Sequence, residues 1–87
     1  MEQESPLQFP CEFPIKAMGA ADAGFDALVA GIVRRHVPDL SEGAVRSRPS
    51  SGGKYLSVTV TIQATSRAQL DAIYQDLHAC AQVLMVL

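Results

Sequence analysis

The 87-residue chain has no tryptophan, only two cysteines, 6% aromatic residues and no excess of positive charge. The missing tryptophan decides nothing by itself. The scarcity of cysteine does, because Cys11 and Cys80 match the spacing of no zinc or redox motif and no secretory leader accompanies them. No apolar run approaches the roughly 20 residues that cross a bilayer. The opening MEQESPLQFP is acidic and polar where a secretory signal is basic and then apolar. A soluble, cytoplasmic protein is expected. Lys and Arg number 7 against 9 Asp and Glu, a formal net charge of −2. That balance argues against a protein that coats nucleic acid electrostatically and leaves room for a local basic patch.

What is present describes one small domain. A chain of this length buries roughly 60 to 65% of its unfolded surface around a single core. Hydrophobic content of 48% with 18% charged residues excludes wholesale disorder. Residues 1–12 carry Glu2, Glu4, Glu12, Pro6 and Pro10 without periodicity and are expected to form a mobile tail, so the domain is placed at 13–87. Phe13 to Met18 is short, apolar and bounded by Gly19, and reads as a strand in which Pro14 lacks a ladder donor. Phe25, Leu28, Val29, Ile32 and Val33 form one helical stripe. Asp22 is the expected cap and Pro38 the stop, which gives a helix over 22–37.

Gly43 to Arg48 is expected to be a short strand whose arginines suit a sheet edge. Tyr55 to Ala64 is clearer: Leu56, Val58, Val60, Ile62 and Ala64 alternate with polar residues, so one face is buried and the other wet. The loop before it, RPSSGGKY, reads as a hairpin turn. Ser66 and Gln69 have capping-box spacing, and Leu70, Ile73, Tyr74 and Leu77 continue as a helix over 67–79. Val83 to Leu87 reads as a final strand.

The order β-α-β-β-α-β, with right-handed crossovers, gives an α+β ferredoxin-like sandwich: a four-stranded antiparallel sheet of order 4-1-3-2 with both helices on one face. In that topology Cys11 and Cys80 lie near opposite ends of the first strand, more than about 20 Å apart. No intramolecular bridge is expected.

The segments FPIKAMG, RHVPD, RPSSGGKYLSVTVTIQAT, the Tyr74 and Leu77 pair and the terminal MVL, in this order and spacing, resemble the YbeD family of small bacterial proteins of unassigned activity. The resemblance covers about residues 9 to 87. It implies an ACT-like regulatory domain of ferredoxin-like fold, a type that pairs through sheet edges and binds small effectors such as amino acids. Some members lie near lipoate-attachment genes, which implies a regulatory setting. It supplies no catalytic residue.

Three places invite a functional reading. A P-loop requires Gly, four residues, then Gly-Lys-Ser/Thr and a helix. Gly53-Lys54 is followed by Tyr55 and a strand, so the loop is no phosphate cradle. The open sheet face is a candidate interaction surface formed by Lys16, Arg46, Arg48, Lys54, Tyr55 and Ser57, with Arg48 near Tyr55 and Arg46 near Ser57 across the hairpin. RNA binding there would rest on one aromatic, because Ser57, Thr59, Thr61 and Gln63 fill the other wet positions. Protection of an edge strand explains the arginines without a ligand.

The strand-to-helix turn is the candidate small-molecule site, formed by Gly19, Asp22 and Phe25. There Gly19 would permit close approach and helix amides would meet a carboxylate, although Asp22 would itself repel an anion. His36 and His78 each sit where a helix C-terminus favours a cation, and the scattered His and Cys residues make neither a catalytic nor a metal constellation. The sequence thus predicts a non-enzymatic regulatory or protein-interaction module without a cofactor or metal. A homodimer is one expected form, and a small-metabolite sensor is the alternative.

Overall fold

The computed structural model describes residues 7–87. Strand β1 is Cys11–Ala20, helix α1 Phe25–Arg34, strand β2 Val45–Pro49, strand β3 Tyr55–Ala64, helix α2 Arg67–Ala79 and strand β4 Met85–Val86; one 3-10 turn at Glu42–Ala44 precedes β2. The sheet order is β2-β3-β1-β4, with all neighbours antiparallel. This is the α+β ferredoxin-like arrangement expected from the order of elements.

Alternation along β3 sets the two faces. Val58, Val60, Ile62 and Ala64 are buried, as are Ile15 and Ala17 beside them on β1. Over them lie Phe25, Val29, Ile32 and Val33 of α1 and Leu70, Ile73 and Leu77 of α2. Each such side chain contributes about 1.5–3 kcal/mol on leaving water. Both helices are consumed by this one side of the sheet, so among the described residues its other side stays bare.

Strand β1 starts at Cys11, two residues before the expected Phe13, and Leu7, Phe9 and Cys11 pack against the core. The ordered domain therefore extends into the segment assigned to the tail. From Cys11 the apolar residues alternate along the strand, and Pro14 does not break it. Lys16 exchanges both backbone bonds with Leu87, so the nitrogen of Pro14, two residues away, points to the same side of β1 but beyond β4. Its missing donor costs no ladder bond. For residues 1–6 the tail expectation lies outside the described residues.

Helix α1 is shorter than the expected 22–37. It opens at Gly24, whose φ of 87° is left-handed, and no side chain caps it. Asp22 is not the cap; its carbonyl accepts from the Phe25 amide and its amide donates to the Ala20 carbonyl, which forms a turn. Gly19 is not a turn residue either. It lies inside β1, where an added Cβ would sit 2.5 Å from the Gln82 carbonyl oxygen and 2.5 Å from the Phe25 ring. Its lack of a side chain lets that ring pack directly against the strand.

Helix α2 agrees with the sequence at both ends. The Ser66 hydroxyl accepts from the Gln69 amide at 3.0 Å, and the Gln69 side chain accepts from the Thr65 amide at 2.8 Å, a capping box displaced by one residue. At the other end of α1, the His36 ring meets Asp76 of α2 at 2.6 Å. This contact, more than a helix dipole, accounts for His36. His78 lies exposed in the last turn of α2.

Strand β4 is held by Leu84 N–H to the Met18 carbonyl and by the Lys16 and Leu87 exchange. The Tyr74 hydroxyl adds a bond to the Leu87 backbone oxygen at 3.3 Å. Cys11 and Cys80 are free thiols, and Cys80 Sγ donates to the Gln82 side-chain oxygen at 3.4 Å.

Two stability predictions follow from these contacts. Gly19→Ala is expected to lower stability by about 1–3 kcal/mol through overpacking, seen as an earlier urea midpoint; a parental midpoint would mean that the Phe25 ring and the 82–83 peptide yield freely. Burial also raises the Tyr74 pKa above its ordinary 10.0. The folded chain therefore keeps the phenolic proton longer than the unfolded one, and the stability conferred by the neutral phenol is whole below 10.0 and declines as pH rises through the folded value. Tyr74→Phe is expected to be less stable than the parent at neutral pH, with the gap narrowing above 10.0. A gap independent of pH contradicts the assignment.

Candidate functional site

The hairpin fixes one candidate surface. Ser50 and Tyr55 close the turn through Ser50 N–H to the Tyr55 carbonyl at 2.9 Å and Tyr55 N–H to the Ser50 hydroxyl at 3.1 Å, while Gly53 takes φ 72°. The loop is a hairpin turn. The register differs by two residues from the expected one: Arg48 lies opposite Ser57 and Arg46 opposite Thr59. The extra length is taken up by Pro49 opposite Leu56 and by Ser50 in the turn. A shift of two leaves the faces unchanged, because the side-chain period is two.

Two rows of side chains cross the open face. One runs Arg46, Thr59, Lys16 and Leu87; the other runs Arg48, Ser57, Met18 and Met85. Lys16, Arg46, Arg48, Ser57, Thr59 and Ser47 line a shallow depression of about 400 Å³. Among the described residues none of the three cations has an ion pair. The four strands carry a single carboxylate, Glu12. It is four positions from Lys16, about 13 Å along the strand, which exceeds the screening length of about 8 Å at physiological salt. The depression is therefore a local positive field in a chain of net charge −2.

Edge protection explains Arg46 and Arg48 on β2. It does not explain Lys16, which lies on an interior strand paired on both sides. Tyr55, 43% exposed, shares the face but lies beyond the depression, opposite Ala20. Lys54 is in the turn, where its carbonyl accepts from the Ala21 amide. Thr59 was not singled out in the sequence, although the alternation that places Ser57 on the wet face places Thr59 there too.

The second candidate surface is the β1–α1 turn. Asp22 and Phe25 line a cavity of about 520 Å³ with Ala20, Ala23, Gly24, Leu28, Ala81, Gln82 and Leu84. Gly19 does not line it, since the Phe25 ring covers it. Ala81, Gln82 and Leu84 come from the connection after α2, which no local signal in the sequence links to this turn. The helix amides expected to meet a carboxylate are largely occupied: Phe25 N–H bonds the Asp22 carbonyl, Ala27 N–H the Asp26 side chain and Leu28 N–H the Gly24 carbonyl. With Asp22 at the rim, the cavity suits a neutral or amine-bearing group better than an anion.

Among the described residues no group of three or more His, Cys, Asp or Glu side chains is placed to hold a metal ion, and no helix is long and apolar enough to cross a membrane.

Comparison with known proteins places this geometry. The sequence profile of the family described as "Protein of unknown function (DUF493)" matches residues 4–87. A UPF0250 protein of Nitrosomonas europaea is 48% identical over 87 residues, covering 100% of both chains. A UPF0250 protein of Pseudomonas paraeruginosa is 50% identical over 86 residues, 98% of this chain and 92% of the relative. The solution structure of protein HP0495 from H. pylori superposes with a TM-score of 0.76 at 12% identity, covering 98% of this chain and 89% of that one; this likeness concerns the fold alone. The matching profile and the near-full-length identities agree with the YbeD-like segments of the sequence: the chain belongs to the DUF493 family, the UPF0250 proteins, of which YbeD is one.

Proposed function

We propose that the protein is a non-enzymatic interaction module whose working surface is the bare face of its sheet. The observation that carries this reading is Lys16: a cation with no ion pair among the described residues, on an interior strand, facing Arg46 and Arg48 across Ser57 and Thr59. Three like charges with no acidic side chain among the residues lining their depression repel one another, and that cost is offset when an opposite charge arrives. Elsewhere His36 is partnered by Asp76 and Arg67 by Asp71. Neither pair forms a nucleophile and base. A second copy meeting the β4 edge is a further form of the same module, because Leu84, Met85 and Leu87 are exposed there.

Photocrosslinking in living cells tests the reading. A photoreactive phenylalanine analogue replacing Tyr55 reports on the open face, and one replacing Asp71 reports on the exposed side of α2. A protein adduct is expected from the first position and not from the second. Absence of an adduct at Tyr55, or the same adduct at both positions, overturns the assignment.

The second reading, a sensor of a small metabolite, rests on the cavity at the β1–α1 turn. Its chemistry favours an amine-bearing metabolite over a carboxylate. A ligand present at about 100 times its dissociation constant stabilises a fold by about 2.7 kcal/mol, which is several degrees in a domain of this size. Such a shift is expected from an amine in a metabolite panel and is expected to vanish in Gln82→Ala. A panel without a shift removes the sensor reading and leaves the face.

A further inference from the structure

The open face divides by chemistry. Arg46 and Arg48 lie on β2 at one end of the two rows and Lys16 on β1, while Met85 and Leu87, 51% and 65% exposed, close the rows at the β4 end. Residues directly opposite each other in a ladder project on the same face. Met85 opposite Met18, and Leu87 opposite Lys16, therefore belong to the same surface as the cations. The span from Arg46 to Leu87 is three strand spacings, about 14 Å. One segment of chain lying on the sheet reaches both halves.

On the strength of the module reading, we infer that this face binds an acidic segment of a partner protein that carries large apolar side chains beside its carboxylates. Arginine forks bind carboxylates through two parallel hydrogen bonds, and the Ser57 and Thr59 hydroxyls between the cations donate further ones. Met85 and Leu87 remove apolar side chains from water on the adjoining half, and methionine adapts to varied shapes. Charge complementarity alone would admit RNA. The rest of the face does not favour it: successive bases need successive stacking surfaces, and the β3 residues after Tyr55 on this side are Ser57, Thr59, Thr61 and Gln63. The apolar half would meet ribose and phosphate with nothing to bury.

The test uses the full chain and three fluorescent probes of equal formal charge: a glutamate-leucine peptide, an all-glutamate peptide and an oligouridylate. In fluorescence anisotropy at low salt, the glutamate-leucine peptide is expected to bind most tightly and to weaken as salt rises. The Arg46→Gln, Arg48→Gln double variant is expected to lose about tenfold or more, the loss of charge-assisted bonds. Met85→Ser is expected to weaken the glutamate-leucine peptide toward the level of the all-glutamate peptide. Arg67→Gln, on the other side of the molecule, is expected to bind as the parent does, and circular dichroism melts verify that each variant is folded. Tighter binding of oligouridylate, equal binding of the two peptides, or binding unaffected by the arginine change in a folded variant overturns the inference. Failure of every probe while the Tyr55 position still yields a protein adduct overturns the acidic-segment assignment alone; failure of that adduct as well removes the module reading beneath it.

Discussion

One constraint organises this molecule: two helices and four strands share a single core, so among the described residues the sheet is covered on one side only. Along β3 the consequence is visible residue by residue, with Val58, Val60, Ile62 and Ala64 fully packed and Ser57, Thr59, Thr61 and Gln63 on the other face. Close approach of α1 depends on Gly19, where the Phe25 ring occupies the space that any side chain would need. The end of α1 is tied to α2 by the His36 and Asp76 contact and by the Gln69 side-chain amide, which donates to the His36 carbonyl at 3.4 Å. Partly exposed polar contacts of this kind stabilise by at most about 1 kcal/mol each. Their main effect is to fix the angle at which the helices lie over the sheet.

The parts of the fold legible in the sequence are those governed by local periodicity. Helix α2 was read to its end residues because the capping box and the apolar stripe coincide, and β3 because its alternation is uninterrupted over ten residues. Errors gathered where proline, glycine and aspartate carry more than one meaning. Glu12, Pro6 and Pro10, without periodicity, suggested a late start to β1, and Pro14 a lost ladder bond, yet the nitrogen of Pro14 faces an uncovered edge. Asp22 resembled a cap, but the chain turns tightly there and enters the helix through Gly24. Gly19 resembled a turn residue, whereas its reason is an aromatic ring six positions later. That contact is tertiary and leaves no local signature.

The candidate surfaces follow the same division. Alternation alone places Lys16, Arg46, Arg48 and Ser57 on one face, and a hairpin register offset by two residues leaves them there because parity is preserved. The lining of the turn cavity could not be found in the same way, since Ala81 and Gln82 arrive from sixty residues away. Membership of the DUF493 family fixes the relatives of the chain without assigning it a reaction. Charge accordingly supports the proposed interaction module: an interior-strand lysine and two edge arginines line one depression with no acidic side chain among its lining residues.

Methyl-resolved NMR with a soluble paramagnetic agent tests the one-sided core most directly. The account predicts strong relaxation enhancement at the Thr59 and Thr61 methyls and strong protection at Val58, Val60 and Ile62. Equal enhancement of the two sets, or protection of the threonines, would mean that the second face is covered and would contradict the account.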